Sequence, residues 1–120
     1  MTGSRPDAGI LLVDKPVGPT SHDVVDVARR ALGIRKVGHT GTLDPFASGL
    51  LVLCIGKATR VAEFLVGLDK RYDAEATFGL STDTGDRLGE ELARDENWKE
   101  IPTLQVERVL DGLKGSRLQT

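Results

Sequence analysis

Residues 50–56 read LLVLCIG, an unbroken apolar run with Gly49 before it and Gly56 closing it. A run with no polar position suits a central strand covered on both faces, because a strand with one wet face alternates instead. The rest of the chain then has to supply neighbouring strands and covering helices. Cys54, inside the run, reads as inert packing.

The flanking segments fit that frame. Residues 10–16, ILLVDKP, are an apolar run stopped by Lys15-Pro16 and then by Gly18-Pro19, a buried strand followed by a turn. TSHDVVDVARRALG (20–33) has Thr20 or Ser21 as N-cap, Asp23 in the first turn, and Val24, Val27, Ala28, Ala31 and Leu32 at helical spacing before Gly33. KATRVAEFLVGLD (57–69) places Ala58, Val61, Ala62, Leu65 and Leu68 on one stripe, a second amphipathic helix. RYDAEATFG (71–79) alternates, with Tyr72, Ala74, Ala76 and Phe78 on one face, as a half-exposed strand does. Residues 81–101 form a polar, acid-rich surface excursion, and Pro102-Thr103 starts a last helix with Val106, Val109, Leu110 and Leu113 on one face, ending near Gly115. The order strand, helix, strand, helix, strand, helix predicts an α+β (mixed α/β) fold. Residues 1–9 read as a loose tail ahead of it.

Composition narrows the function classes. With 39% hydrophobic and 28% charged residues, the chain is ordinary for a soluble globular domain, and neither a membrane nor a disordered reading is needed. One cysteine cannot form an intramolecular disulfide, and no basic-then-apolar leader precedes the first apolar run, so a cytoplasmic protein is expected. A net charge of −2 argues against gripping nucleic acid by bulk electrostatics. The halves differ, however: residues 1–60 hold 8 basic and 5 acidic side chains, net +3, and residues 61–120 hold 8 and 13, net −5. Arg29, Arg30, Arg35 and Lys36 open a place for a polyanion, or equally form a solvated helix end with cations favourably placed.

Several motif matches fail on mechanism. IGKAT (55–59) has Leu51 where a phosphate loop needs its first glycine and Ala58 where it needs a hydroxyl. Ser21, His22 and Asp23 are consecutive on a helix and point in different directions, unlike a triad assembled from separate segments. Asp83 and Asp86 in STDTGD lack the other ligands of a calcium loop, and the two histidines and the cysteine have no zinc spacing. No metal is expected.

What survives is VGHTGTLDPFASG (37–49), three glycines and a proline around one acid, Asp44. Glycine admits positive φ and close backbone approach, while proline after aspartate biases that aspartate away from αR geometry. An acid in such a turn is commonly structural. Two features favour a site: His39 lies five residues earlier in the same loop, and the loop leads straight into the most apolar strand, a rigid anchor.

Three stretches, LLVDKPVGPTSHDV, KVGHTGTLDPFASGLLVLCIGKATR and DKRYDAEATFGLSTDTGD, in this order and spacing, resemble the N-terminal half of the bacterial tRNA pseudouridine synthase B (TruB) family. The likeness runs from about residue 10 to residue 86 and is weaker beyond. It implies a pseudouridine synthase-like mixed sheet flanked by helices, with residues 10–120 as the N-terminal portion of a catalytic domain. It also implies isomerisation of uridine 55 in the tRNA T-loop, with Asp44 as nucleophile. By the same resemblance Tyr72 stacks on the target base and His39 fills the space left when the uridine turns out. Lys15 and Pro16 support the nucleophile loop, Asp83 and Asp86 fall in a stretch of open role, and Arg35, Lys36 and Arg60 are candidate RNA contacts. Family members continue past this length, into a strand whose arginine pairs with the nucleophile and commonly into a small RNA-binding domain, so the chain is expected to be an N-terminal piece.

The chemistry suits these residue types. The C1′–N1 bond breaks, the uracil turns, C5 joins C1′ and a proton leaves C5, so neither a redox partner nor a group donor, and hence no cofactor, is expected. A carboxylate attacks an electrophilic carbon or stabilises positive charge developing at the sugar. A stacked uridine has to be flipped to be reached, at a cost of a few kcal/mol recovered in stacking and polar contacts, and the pocket should exclude water. The expected partner is the tRNA T-stem–loop, bound by a monomer. A non-catalytic tRNA-binding or folding-chaperone fragment is the alternative, and a glycosidic hydrolase would need a second carboxylate that the sequence does not nominate.

Overall fold

The apolar run becomes the middle strand of a sheet. The computed structural model describes residues 7–118 and divides into two compact units, Met1–Tyr72 and Asp73–Thr120. In the first, β1 (Ala8–Lys15), α1 (Ser21–Leu32), β2 (Val37–His39) and β3 (Gly49–Gly56) build a three-stranded sheet of order β1-β3-β2. β3 runs antiparallel to both neighbours, so β1 and β2 are parallel to each other, with α1 as their crossover and β3 inserted between them. Lys15 pairs with Gly49, which brings the end of β1 beside the start of β3.

Directly opposed residues share a face, so Leu51, Leu53 and Ile55 of β3 line up with Val13 of β1 and Val37 of β2 under α1. They join Val24, Val25 and Ala28 of α1 in the core, with Leu32, Ile34 and Leu43 packed around it. Each fully buried aliphatic side chain, Leu53 foremost, contributes roughly 1.5–3 kcal/mol. Cys54 is completely buried, and burial pushes its thiol above the ordinary range, in keeping with inert packing.

α1 starts as expected. Thr20 is the N-cap: its hydroxyl accepts from the Asp23 N–H at 3.1 Å, and the Asp23 carboxylate accepts from the Thr20 N–H at 2.8 Å, a reciprocal capping box. Gly33 closes the helix in the left-handed region at φ 65°. The Thr20 backbone N–H, then its hydroxyl, holds the Asp23 carboxyl below its ordinary value of 3.8. Because the folded pKa lies below the unfolded one, this stabilisation is present above pH 3.8 and lost as pH falls through the folded value. Melting curves between pH 6 and pH 2 should therefore show Asp23→Asn less stable than the unmodified chain at the upper end, with the gap closing in acid; a constant gap would contradict the capping assignment.

Several expected elements differ. β1 begins at Ala8, and it is an edge strand with Ile10, Leu11 and Leu12 exposed, not a buried one, because among the described residues only β3 flanks it. Residues 1–6 of the expected tail lie outside the described residues. β3 is central, but Leu50 is exposed, so cover on its second face is partial. α1 buries Ser21, Val24, Val25 and Ala28 and leaves Val27 and Ala31 of the expected stripe exposed, because the face turned to the sheet is rotated toward Ser21 and Val25. The helix expected over 57–69 is a 3₁₀ turn (Lys57–Val61) followed by a five-residue α2 (Ala62–Val66) with nothing buried. Neither has a side-chain N-cap, and the Thr59 hydroxyl bonds back to the Gly56 carbonyl. The strand expected over 71–79 does not form. Residues 71–77 belong to no regular element and are exposed, since an alternating segment becomes a strand only by pairing and no strand among the described residues pairs with it.

The second unit contains a hairpin of β4 (Leu80–Thr82) and β5 (Glu91–Arg94), a 3₁₀ turn (Asn97–Glu100) and α3 (Thr103–Gly112). The excursion expected over 81–101 is this hairpin, and its acids close it. The Asp83 carboxylate accepts the Glu90 N–H at 2.8 Å, and that of Asp86 accepts the Leu88 N–H at 2.8 Å and the Thr84 hydroxyl at 3.0 Å. Phe78, Trp98, Lys99, Ile101, Thr103 and Val106 line a cavity of about 390 Å³ within this unit. Helices and strands are both present, as an α+β chain requires; among the described residues no helix is long and apolar enough to cross a membrane.

Candidate active site

Asp44 sits on the connection between β2 and β3, at the end of the sheet where β1 also finishes. Of Gly38, Gly41 and Gly49, only Gly49 adopts positive φ, at 126°, so the bend owes less to glycine than its composition implies. Hydrogen bonds do the shaping. Thr40 donates its N–H to the Val52 carbonyl at 3.0 Å, fixing the start of the connection to β3. Leu43 packs against the core, and the Ser21 hydroxyl both accepts its N–H, at 2.9 Å, and donates to its carbonyl, at 3.0 Å. The Ala47 N–H bonds to the Asp44 carbonyl at 3.0 Å, closing a turn with Pro45 at its second position, where proline's fixed φ is already suitable. The Gly18 N–H donates to the Pro45 carbonyl at 2.7 Å.

That last bond links the loop to Lys15. The Lys15 side chain is fully buried, and its ammonium donates to the carbonyls of Pro16 and Pro19, each at 2.8 Å. It thereby folds the 16–19 turn around itself and holds Gly18 where it meets Pro45. Lys15 and Pro16 thus contact the loop's support and not the exposed acid.

Against this pinned backbone the Asp44 side chain is exposed, and among the described residues its carboxylate has no hydrogen-bond or ion-pair partner. Tyr72 is 64% exposed. The sheltered surroundings expected for these two side chains are not formed by the described residues. His39 is not in the loop but is the last residue of β2, opposite Leu53 on the core face, half-buried and with Nδ1 buried and unpartnered. Asp86 stabilises its own hairpin in the second unit.

The basic residues divide. Arg29 is committed to the fold, donating to Asp26 at 3.0 Å and to the Val37 carbonyl at 3.1 Å. Arg30, Arg35, Lys36 and Arg60 are exposed. Local pattern marks Gly18 only as a turn residue and Ser21 only as a helix-start residue. The available signal was redundancy: Thr20 already caps α1, which leaves a second hydroxyl without a local task.

Residues 29–120 match the TruB family pseudouridylate synthase N-terminal domain. The chain belongs to this family. It is 51% identical over 112 residues to the tRNA pseudouridine synthase B of Geobacillus thermodenitrificans, covering 93% of this chain and 37% of that protein. It is 50% identical over 111 residues to that of Bacillus subtilis, covering 92% and 36%. The chain thus spans a little over a third of the length of these TruB relatives. Among solved structures it is similar to a chain in an archaeal box H/ACA sRNP Nop10-Cbf5 complex, with 51% identity, a TM-score of 0.46, and coverage of 48% of this chain and 18% of that one. The TruB-family match takes in His39, Asp44 and Tyr72, whereas Lys15, Gly18 and Ser21 lie ahead of it.

Proposed function

We propose that the chain is the N-terminal portion of a cytoplasmic, monomeric tRNA-modifying isomerase that converts uridine 55 of the T-loop to pseudouridine, with Asp44 as the nucleophile. The observation that supports it is an unengaged carboxylate on a backbone pinned on both sides, in a chain of this family. A nucleophile has to be held by its backbone and left free at its oxygens. Asp44 meets both conditions. Attack of the Asp44 carboxylate on C1′ forms an ester as the C1′–N1 bond breaks and its electron pair leaves with the uracil; the uracil turns, C5 bonds to C1′ as the ester bond breaks and frees the carboxylate, and the C5 proton departs while N1 gains one. Electrons and atoms balance within the nucleotide, so the reaction calls for no cofactor. Tyr72 offers an accessible ring on which a flipped base stacks, and Arg35, Lys36 and Arg60 offer exposed cations for the stem–loop phosphates.

The exposure of Asp44 and Tyr72 favours a second reading, a tRNA-binding or folding-chaperone chain without turnover, because solvent-exposed side chains do not protect a detached base from water. Incubation with T-stem–loop RNA carrying 5-fluorouridine at the target position separates them. A stable adduct, lost in Asp44→Asn, supports the isomerase; binding with neither adduct nor isomerisation supports the binder; release of free uracil indicates a hydrolase. Within the isomerase reading, Tyr72→Phe retains stacking and lowers turnover if the hydroxyl takes part in removing the C5 proton. Full turnover by Tyr72→Phe, measured as pseudouridine in digested RNA, confines Tyr72 to stacking.

A further inference from the structure

We propose that Ser21 is a positioning residue for Asp44, acting through the backbone of Leu43. This rests on the reading of Asp44 as the nucleophile. The Ser21 hydroxyl holds both polar groups of Leu43, at 2.9 Å and 3.0 Å. The Leu43 carbonyl belongs to the peptide plane that leads directly into Asp44, so one side chain fixes the orientation of the plane before the acid. The Gly18 N–H fixes the carbonyl after it, at Pro45. Ser21 is only 3% exposed and sits at the first position of α1, whose start is already capped by Thr20 and Asp23. Its hydroxyl is therefore not needed for the helix and serves the loop. Leu43 is partly buried against the core, which stops the clamp from sliding. Removing the hydroxyl leaves a donor and an acceptor of Leu43 unsatisfied and frees the plane to rotate. A misplacement of about 1 Å at a reacting group costs on the order of 100-fold in rate.

The test compares the unmodified chain with Ser21→Ala, Ser21→Thr and Thr20→Ala, using amide hydrogen exchange and steady-state turnover of T-stem–loop RNA. Ser21→Ala should speed exchange of the Leu43 amide about tenfold or more while amides in the middle of α1 change by less than about twofold, the signature of local opening. It should also lower kcat roughly 10- to 100-fold with KM nearly constant, since the loss is in placing the reacting group and not in binding RNA. Ser21→Thr, which keeps the hydroxyl, should restore both. Thr20→Ala should loosen the first turn of α1 and leave Leu43 exchange and kcat near the unmodified values. An unchanged Leu43 amide in Ser21→Ala overturns the clamp, as do equal effects of Ser21→Ala and Thr20→Ala, which would place Ser21 in helix stability alone. Faster Leu43 exchange with unaltered kcat overturns the positioning role. If the unmodified chain forms no product, its reading as an isomerase falls and Ser21's part in turnover with it, while the exchange comparison still decides whether the clamp exists.

Discussion

On the proposed mechanism, Asp44→Asn should bring pseudouridine formation to less than about a thousandth of the unmodified rate, because an amide oxygen is a poor nucleophile and removing such a group from a covalent mechanism removes most of the catalysis. The fold should hardly notice. The carboxylate has no partner among the described residues, and the turn it heads is closed by its backbone carbonyl, which asparagine supplies equally well. The melting temperature should shift by no more than a surface substitution away from special features causes, within about 0.5 kcal/mol. Affinity for the T-stem–loop should also stay within about twofold, since most contact energy with RNA comes from phosphates and stacked bases. A large loss of affinity or stability would instead make the bend's acid a structural part of the loop.

The largest effect on folding should come from Lys15→Met. Lys15 is buried to the last atom, and its ammonium is held by the Pro16 and Pro19 carbonyls at 2.8 Å. Methionine reproduces the length of the side chain but has no donor, so two carbonyl oxygens are left unsatisfied at about 1–3 kcal/mol each. Part of that is offset because a buried ammonium no longer has to be desolvated. A net destabilisation of the first unit of about 2–4 kcal/mol is expected, read as a lowered melting temperature of that unit. Loosening the 16–19 turn should also weaken the Gly18 to Pro45 bond and lower turnover along with stability. A melting temperature equal to that of the unmodified chain would show that the buried charge costs as much as its two bonds return.

These two residues illustrate what could be read from the chain and what could not. The central place of LLVLCIG, the capped helix with Thr20, Asp23 and Gly33, and the anchoring of the Asp44 loop on β3 follow from local patterns, and each is found. The family was legible as well, because three ordered motifs are far more specific than any single spacing. Long-range partners were not. Local pattern makes Lys15 a strand terminator, and its support of the Asp44 loop was implied by the family resemblance alone; the register that sets it opposite Gly49 brings its turn to Pro45. Ser21 looked like a spare cap until Leu43, 22 residues away, came into contact. The opposite failure occurred at residues 71–79, where alternation promised a strand and no neighbour among the described residues completes it. His39 moved from loop to strand for the same reason: β2 is three residues long, and pairing with β3, not pattern, makes it a strand.

The most direct measurement is to locate the covalent bond. After reaction with 5-fluorouridine-containing T-stem–loop RNA, digestion at Lys and Arg releases the peptide spanning residues 37–57, in which Asp44 is the one acidic side chain. Mass spectrometry should find that peptide carrying the modified nucleotide, with fragment ions placing it on Asp44. A nucleotide attached to any other residue, or pseudouridine formed by a chain in which Asp44 has been replaced by asparagine, would contradict the assignment.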